Sequence, residues 1–107
     1  ALAPGIEISL DALAERAAQL RKVELVVPRS VIGKNTVEAL QSGVIYGFAG
    51  QVDGLVERII EEIGPVTAVV ATGGLSQIVV SESRTITHHE PDLTLLGLAL
   101  LFEKNQV

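Results

Sequence analysis

Residues 35–63 constrain the fold of this chain more than any other stretch. No formal charge falls between Glu38 and Asp53, while Val37, Leu40, Val44, Phe48, Val52, Leu55, Ile59 and Ile63 recur at helical spacing. The spacing predicts one long helix. Gly43, Gly47, Gly50 and Gly54 fall at offsets that line a single narrow stripe of that helix. Each glycine costs about 1 kcal/mol relative to alanine in a helix interior, so the stripe gives up roughly 4 kcal/mol. Close approach of another backbone would compensate, because a surface without Cβ atoms allows more dispersion contact. Two partners fit: a neighbouring element of the same domain, or a second copy of the helix across a two-fold axis. Glycines that still face water in the assembled protein would contradict both. A bilayer span does not fit, since roughly fourteen residues separate the flanking charges where about twenty are needed, and Gln41, Ser42 and Gln51 lie within or beside the middle section.

Composition narrows the function classes. The formal charge of -5 and the lack of any basic cluster argue against a nucleic-acid surface, because phosphate neutralisation needs grouped Lys and Arg. Hydrophobic residues make up 48% of the 107, which excludes disorder. Without cysteine there are no disulfides, thiolate nucleophiles or cysteine metal sites, and a reducing compartment suits the chain. No signal-peptide pattern opens it, so the cytoplasm is the expected location. The apolar opening before Pro4-Gly5 and the absence of methionine suggest part of something larger.

In chain order, Ser9 is read as the cap of a helix over residues 9–20, with Leu10, Leu13, Ala14, Ala17 and Leu20 on one face and Arg21 and Lys22 at its negative end. Residues 23–27 read as a short strand that Pro28 ends. Asn35 with Glu38 forms a capping-box pattern at the start of the long helix. Thr36 then stands in the first turn, where free N–H groups and the dipole attract carboxylate or phosphate oxygens, with Lys34 beside it. A plain cap and an anion site both fit that pattern. Arg58 and Glu62 make an i, i+4 pair, and Gly64-Pro65 stops the helix.

Residues 67–71 read as a buried strand, and Thr72-Gly73-Gly74 follows it directly. Bare backbone at the carboxyl end of such a strand suits a flat or anionic ligand, although an ordinary turn has the same residues. It is neither a dinucleotide fingerprint nor a P-loop. Residues 75–80 suggest a helical turn leading into a strand, 81–84 a polar turn, and 86–88 a last strand. His88-His89-Glu90 is not read as a metal site, since adjacent side chains on a strand point to opposite faces. Pro91 and Asp92 open a final helix to about residue 103, so leucine-rich that burial is expected, with Gly97 marking a second close contact. No nucleophile elbow or triad is present.

Five segments in order carry a resemblance: Ala3-Pro4-Gly5-Ile6, Ile32-Gly33-Lys34-Asn35-Thr36, Ser42-Gly43, Ala71-Thr72-Gly73-Gly74 and Asp92-Leu93-Thr94-Leu95-Leu96-Gly97-Leu98. Together they make the chain resemble the C-terminal half of a type III pantothenate kinase, a family also labelled Bvg accessory factor-like. The resemblance implies an α/β fold: an incomplete ribonuclease H-like domain of the acetate and sugar kinase, heat-shock chaperone and actin superfold. Residues 1–107 would then be the C-terminal domain portion of a two-domain kinase, without the N-terminal domain and the first strands of this one. It implies a homodimeric transferase of coenzyme A biosynthesis that phosphorylates pantothenate with ATP, magnesium and a monovalent cation, potassium or ammonium. Thr72, Gly73 and Gly74, with Ala71, would contact adenosine. Thr36 would contact pantothenate from the neighbouring subunit, and Pro4, Gly5 and Ile6 would join Gly43 and Gly47 of the stripe at the subunit interface. The family's two phosphate segments and its substrate loop with the catalytic base have no counterpart in these residues, so none is catalytic and the chain alone should be inactive. Two other readings stay open: a non-catalytic interaction or transcriptional accessory module of the same fold, and a kinase of the same superfold with another substrate.

Overall fold

A computed structural model describes residues 1–16, 24–73 and 77–106. The elements in order are α1 (Ile6–Arg16), α2 (Thr36–Ile63), β1 (Val70–Ala71), α3 (Gln77–Glu82), β2 (His88–His89) and α4 (Leu93–Lys104). The long helix is continuous and has the expected bounds. At 1.5 Å per residue α2 spans about 42 Å, which sets the longest dimension of a molecule 59 Å in extent. The radius of gyration is 17.0 Å, where a closed domain of this length would have about 13 Å. The fold is therefore open, and the sheet among the described residues is the parallel pair β1-β2, with Val70 opposite His88 and Ala71 opposite His89.

Both ends of α2 are built as its sequence predicts. Asn35 Oδ1 accepts from the Glu38 amide at 2.9 Å, and Gly64, at φ 89°, donates its N–H to the Ile60 carbonyl. The box is displaced by one residue on its return side, where the Glu38 carboxylate accepts from the Lys34 amide at 3.1 Å rather than from Asn35. Residues 24–34 are then tied to the first turns of α2. Gln41 Nε2 donates to the Glu24 carbonyl at 2.9 Å, and buried Ser42 donates its hydroxyl to the Val31 carbonyl at 2.5 Å. Gly33 lies so close to α2 that a Cβ there would collide with the backbone N and Cα of Ala39.

The core forms where α1 and α3 meet α2. Ile6, Val44, Ala49 and Val79 form one buried cluster, with Leu10, Leu25, Leu40 and Phe48 packed on it, and Ile45 is fully buried. The buried face of α2 runs Ser42, Ile45, Ala49 and Asp53, with Val44 beside it. The expected stripe is met in part, since Val44 is buried and Leu40 and Phe48 pack on the core, but the buried face is wider than the stripe and takes in Ser42, Ile45, Ala49 and Asp53. Two polar residues contribute to the widening: Ser42 and Asp53 are buried because each has hydrogen-bond partners there.

The glycine stripe has no partner among the described residues. Gly43, Gly47 and Gly50 are exposed, Gly54 is half-buried, and a Cβ on any of them would have no atom within 4 Å. The described residues therefore supply no close neighbour for the stripe. The same holds for α4. Its bounds match, but Leu95, Leu98, Leu100 and Phe102 are all exposed and Gly97 faces open space, because no described element covers the helix.

Other boundaries move for local reasons. The first helix starts at Ile6, not after Ser9: the Ser9 amide donates to the Gly5 carbonyl at 3.1 Å, which puts Ser9 inside the first turn and lets Ile6 reach the core. Ala17, Leu20, Arg21, Lys22 and Val23 lie outside the described residues. Residues 24–27 form no strand, since the Glu24 carbonyl is taken by Val26 N–H and Gln41 instead of a ladder neighbour. The strand expected over 67–71 shrinks to two residues, and Val70 is exposed because among the described residues β2 alone flanks it. Where a strand was expected near residue 80, α3 continues to Glu82; short apolar runs fit either period, and Val79 buried against α2 decides for the helix. Arg58 and Glu62 form no ion pair.

Gly33 is the glycine whose lack of a side chain the packing requires. Gly33→Ala is expected to lower stability by about 1–3 kcal/mol through overpacking, whereas Gly47→Ala in the same chain should be neutral or stabilising, by up to about 1 kcal/mol. Chemical denaturation of both variants measures the contrast.

Candidate functional site

The candidate residues fall in two places. At the start of α2, Thr36 is exposed in the first turn. The chain around it is fixed by Glu38, whose Oε1 meets Arg29 Nε at 2.9 Å and Nη2 at 2.6 Å while Oε2 holds the Lys34 amide. The Lys34 amide first, and the Arg29 side chain second, hold the Glu38 carboxyl below its usual range. Lys34 and Thr36 are thereby presented on an ordered backbone, with the positive end of the long helix behind them.

At the carboxyl end of β1, Thr72 and Gly73 are exposed, and Gly73 has φ 81°, a left-handed conformation that suits glycine. Gly74 lies outside the described residues. The register of the strand beneath is over-determined. Val69 O accepts from the amides of Thr87 and His88 at 2.9 and 3.1 Å, and Ala71 O from the Glu90 amide at 2.9 Å. The Thr87 hydroxyl accepts from Val69 N at 2.8 Å and donates to its carbonyl at 3.1 Å. His88 and His89 do not converge on one point: His88 Nδ1 meets Thr87 Oγ1, and His89 Nδ1 meets Gln77 Oε1 at 2.6 Å.

Asp53 connects this turn to the long helix. It is buried, and its Oδ1 accepts from Ser83 Oγ at 2.6 Å, Thr85 Oγ1 at 2.6 Å and Thr85 N at 3.1 Å, while Oδ2 accepts from Arg84 N at 2.9 Å. Burial pushes its carboxyl up, but these hydrogen bonds outweigh burial and bring it down from 3.8 to about 2. With its lone pairs occupied and its basicity lowered, Asp53 is a clamp rather than a proton acceptor. It holds residues 83–85, which lead into β2, which sets the position of β1 and its turn.

The two places are not adjacent. Thr36 and Ile63 are separated by about 40 Å of helix, and the nine residues from there to Thr72 reach back at most about 32 Å. At least about 8 Å therefore lies between the two threonines. In the third predicted group, Pro4 and Gly5 are exposed, while Ile6 belongs to the core.

The sequence model of the type III pantothenate kinase family matches residues 1–58, which include the Pro4-Gly5 turn, Gly33 and the Thr36 helix start. The chain belongs to that family. Proteins of this family are also its relatives over nearly its whole length: those of Saccharopolyspora erythraea, at 72% identity over 98% of the chain, Frankia alni, at 72% over 97%, and Salinispora arenicola, at 68% over 98%. The chain spans only 41–42% of the length of these three relatives.

Three structural residues escaped the sequence reading. Asp53 had a signal, as a charge closing an uncharged helical run with a Ser/Thr-rich stretch at residues 81–87 to receive it. Gln77 and Gly33 had none, because their roles depend on which segments the fold brings together.

The Asp53 clamp makes an acid-sensitive prediction. A carboxyl lowered to about 2 in the fold and near 3.9 when unfolded stabilises fully above its unfolded value, and that stabilisation is lost as pH falls toward the folded one. Thermal midpoints should fall between about pH 4 and pH 2, and Asp53→Asn should lessen that fall. Asp53→Ala should cost about 2–3 kcal/mol at neutral pH, the scale of a lost charge-assisted hydrogen-bond site.

Proposed function

We propose that these residues form the dimerising, adenosine-contacting portion of an ATP-dependent pantothenate kinase, a transferase of coenzyme A biosynthesis. In this reading they complete a ribonuclease H-like domain of the actin-type superfold, whose further strands would extend the β1-β2 pair. The observation that carries it is the Thr72-Gly73 turn: bare, exposed backbone at the carboxyl end of a parallel strand, in a chain of this family. A planar adenine or ribose can approach such a turn without meeting a side chain. Gly74 continues the same element in the sequence.

Thr36 takes the second substrate. Its hydroxyl and the unpaired N–H groups of the first turn suit the carboxylate of pantothenate, and Lys34 adds charge. In this reading pantothenate at Thr36 belongs to the nucleotide site of a neighbouring subunit. The uncovered stripe through Gly43 and Gly47, with Pro4 and Gly5 anchored by buried Ile6, offers the surface for that dimer.

The reaction moves the terminal phosphoryl group of ATP to the pantothenate hydroxyl. These residues bind and orient. Among the described residues no group of three or more His, Asp or Glu side chains gathers, and no step is assigned to magnesium or to potassium. No helix among the described residues is long and apolar enough to cross a membrane. The accessory-module alternative has the uncovered α4 in its favour, a face that further strands and helices of a kinase would equally cover.

Kinetics of the full-length protein carrying this sequence test the proposal. Thr36→Ala should raise KM for pantothenate about tenfold, the loss of one hydrogen bond, with KM for ATP unchanged. Unchanged pantothenate kinetics would overturn the role of Thr36, and absence of ATP-dependent pantothenate phosphorylation in the unsubstituted protein would favour the accessory module.

A further inference from the structure

The connection from Ala71 to Gln77, which contains the Thr72-Gly73 turn, has its two ends held by the neighbouring residues His89 and Glu90. His89 lies opposite Ala71 in the parallel pair, and the next amide, Glu90 N–H, closes the ladder onto the Ala71 carbonyl. The His89 side chain reaches the other end, with Nδ1 2.6 Å from Oε1 of Gln77, the first residue of α3. Gln77 is itself oriented. Its amide Nε2 lies 3.5 Å from Ser81 Oγ, whose hydroxyl donates to the Gln77 carbonyl at 2.9 Å. The Gln77 amide oxygen therefore faces the imidazole, and Nδ1 is the donor.

The remaining ring nitrogen sharpens the point. His89 Nε2 is buried from solvent and has no hydrogen-bond partner. A buried polar atom left unpaired is unfavourable, so an apolar side chain would fill the same space at lower cost. What the imidazole adds is the Nδ1–H directed at Gln77.

We infer that His89 is a positioning residue for the purine-nucleotide turn, setting the spacing between the end of β1 and the start of α3 through its bond to Gln77. The inference rests on the nucleotide reading of Thr72 and Gly73. His89 touches no nucleotide. It acts by limiting how far the two ends of the connection can separate, so that the bare backbone at Gly73 is already shaped when the nucleotide arrives.

The test uses the full-length protein, with ADP binding measured by calorimetry beside steady-state kinetics. His89→Leu removes the donor while keeping bulk, and should weaken ADP binding and raise KM for ATP about tenfold, as expected for one lost hydrogen bond. KM for pantothenate should stay the same and kcat should change by less than about twofold. His89→Asn can place an amide N–H near the position of Nδ1 and should restore ADP affinity to within about threefold of the unsubstituted protein. Gln77→Leu should match His89→Leu, and the double variant should be no worse than either single one. ADP binding by His89→Leu equal to that of the unsubstituted protein overturns the inference alone. So does a loss shared by both substrates that His89→Asn fails to rescue, which marks a merely structural role. If the unsubstituted protein binds no ADP, the nucleotide reading fails and takes the inference with it.

Discussion

A buried carboxylate on the long helix holds the second half of this chain in place. Asp53 accepts four hydrogen bonds from Ser83, Arg84 and Thr85, and residues 83–85 have no other comparable attachment to α2. The nearby Arg84 guanidinium adds little, since it is 3.9 Å away and largely exposed. From the clamp the restraint passes to β2, across the ladder to β1, and out to Thr72 and Gly73. On the other side of the same unit, Val79 seats α3 on α2 by apolar contact. One polar and one apolar attachment thus give the turn its place relative to the long helix.

The first half is fastened by a different means. Arg29, Gln41 and Ser42 tie residues 24–34 to α2, and Gly33 lets the two backbones touch. Thr36 inherits its order from this contact. The long helix therefore carries one candidate substrate group at its start. The chain leaving its far end turns back, and Val79 and the Asp53 clamp hold the unit bearing the second group against the middle of the helix.

What could be read from the residues alone was what depends on neighbours in sequence. The helix over 35–63, its Asn35 cap, its Gly64 stop and the strand-turn order around Thr72 all follow from local patterning, and the five ordered segments pointed to the family. Burial could not be read in the same way. The leucines of α4 and the glycines at 43, 47 and 50 suggested covered faces, yet none is covered within the described residues, because hydrophobicity records the need for a partner and not its location. The buried face of α2 is wider than its apolar pattern for a related reason: Ser42 and Asp53 are buried by partners 11 or more residues away, which periodicity does not reveal.

Amide hydrogen exchange, comparing the unsubstituted chain with Asp53→Ala, addresses the clamp most directly. The account predicts slow exchange at Arg84 and Thr85, with the substitution releasing them together with His88 and Glu90 while Ala39 near the start of α2 stays protected. Fast exchange at Arg84 and Thr85 before substitution, or undiminished protection of His88 and Glu90 after it, would contradict the claim that Asp53 carries the restraint.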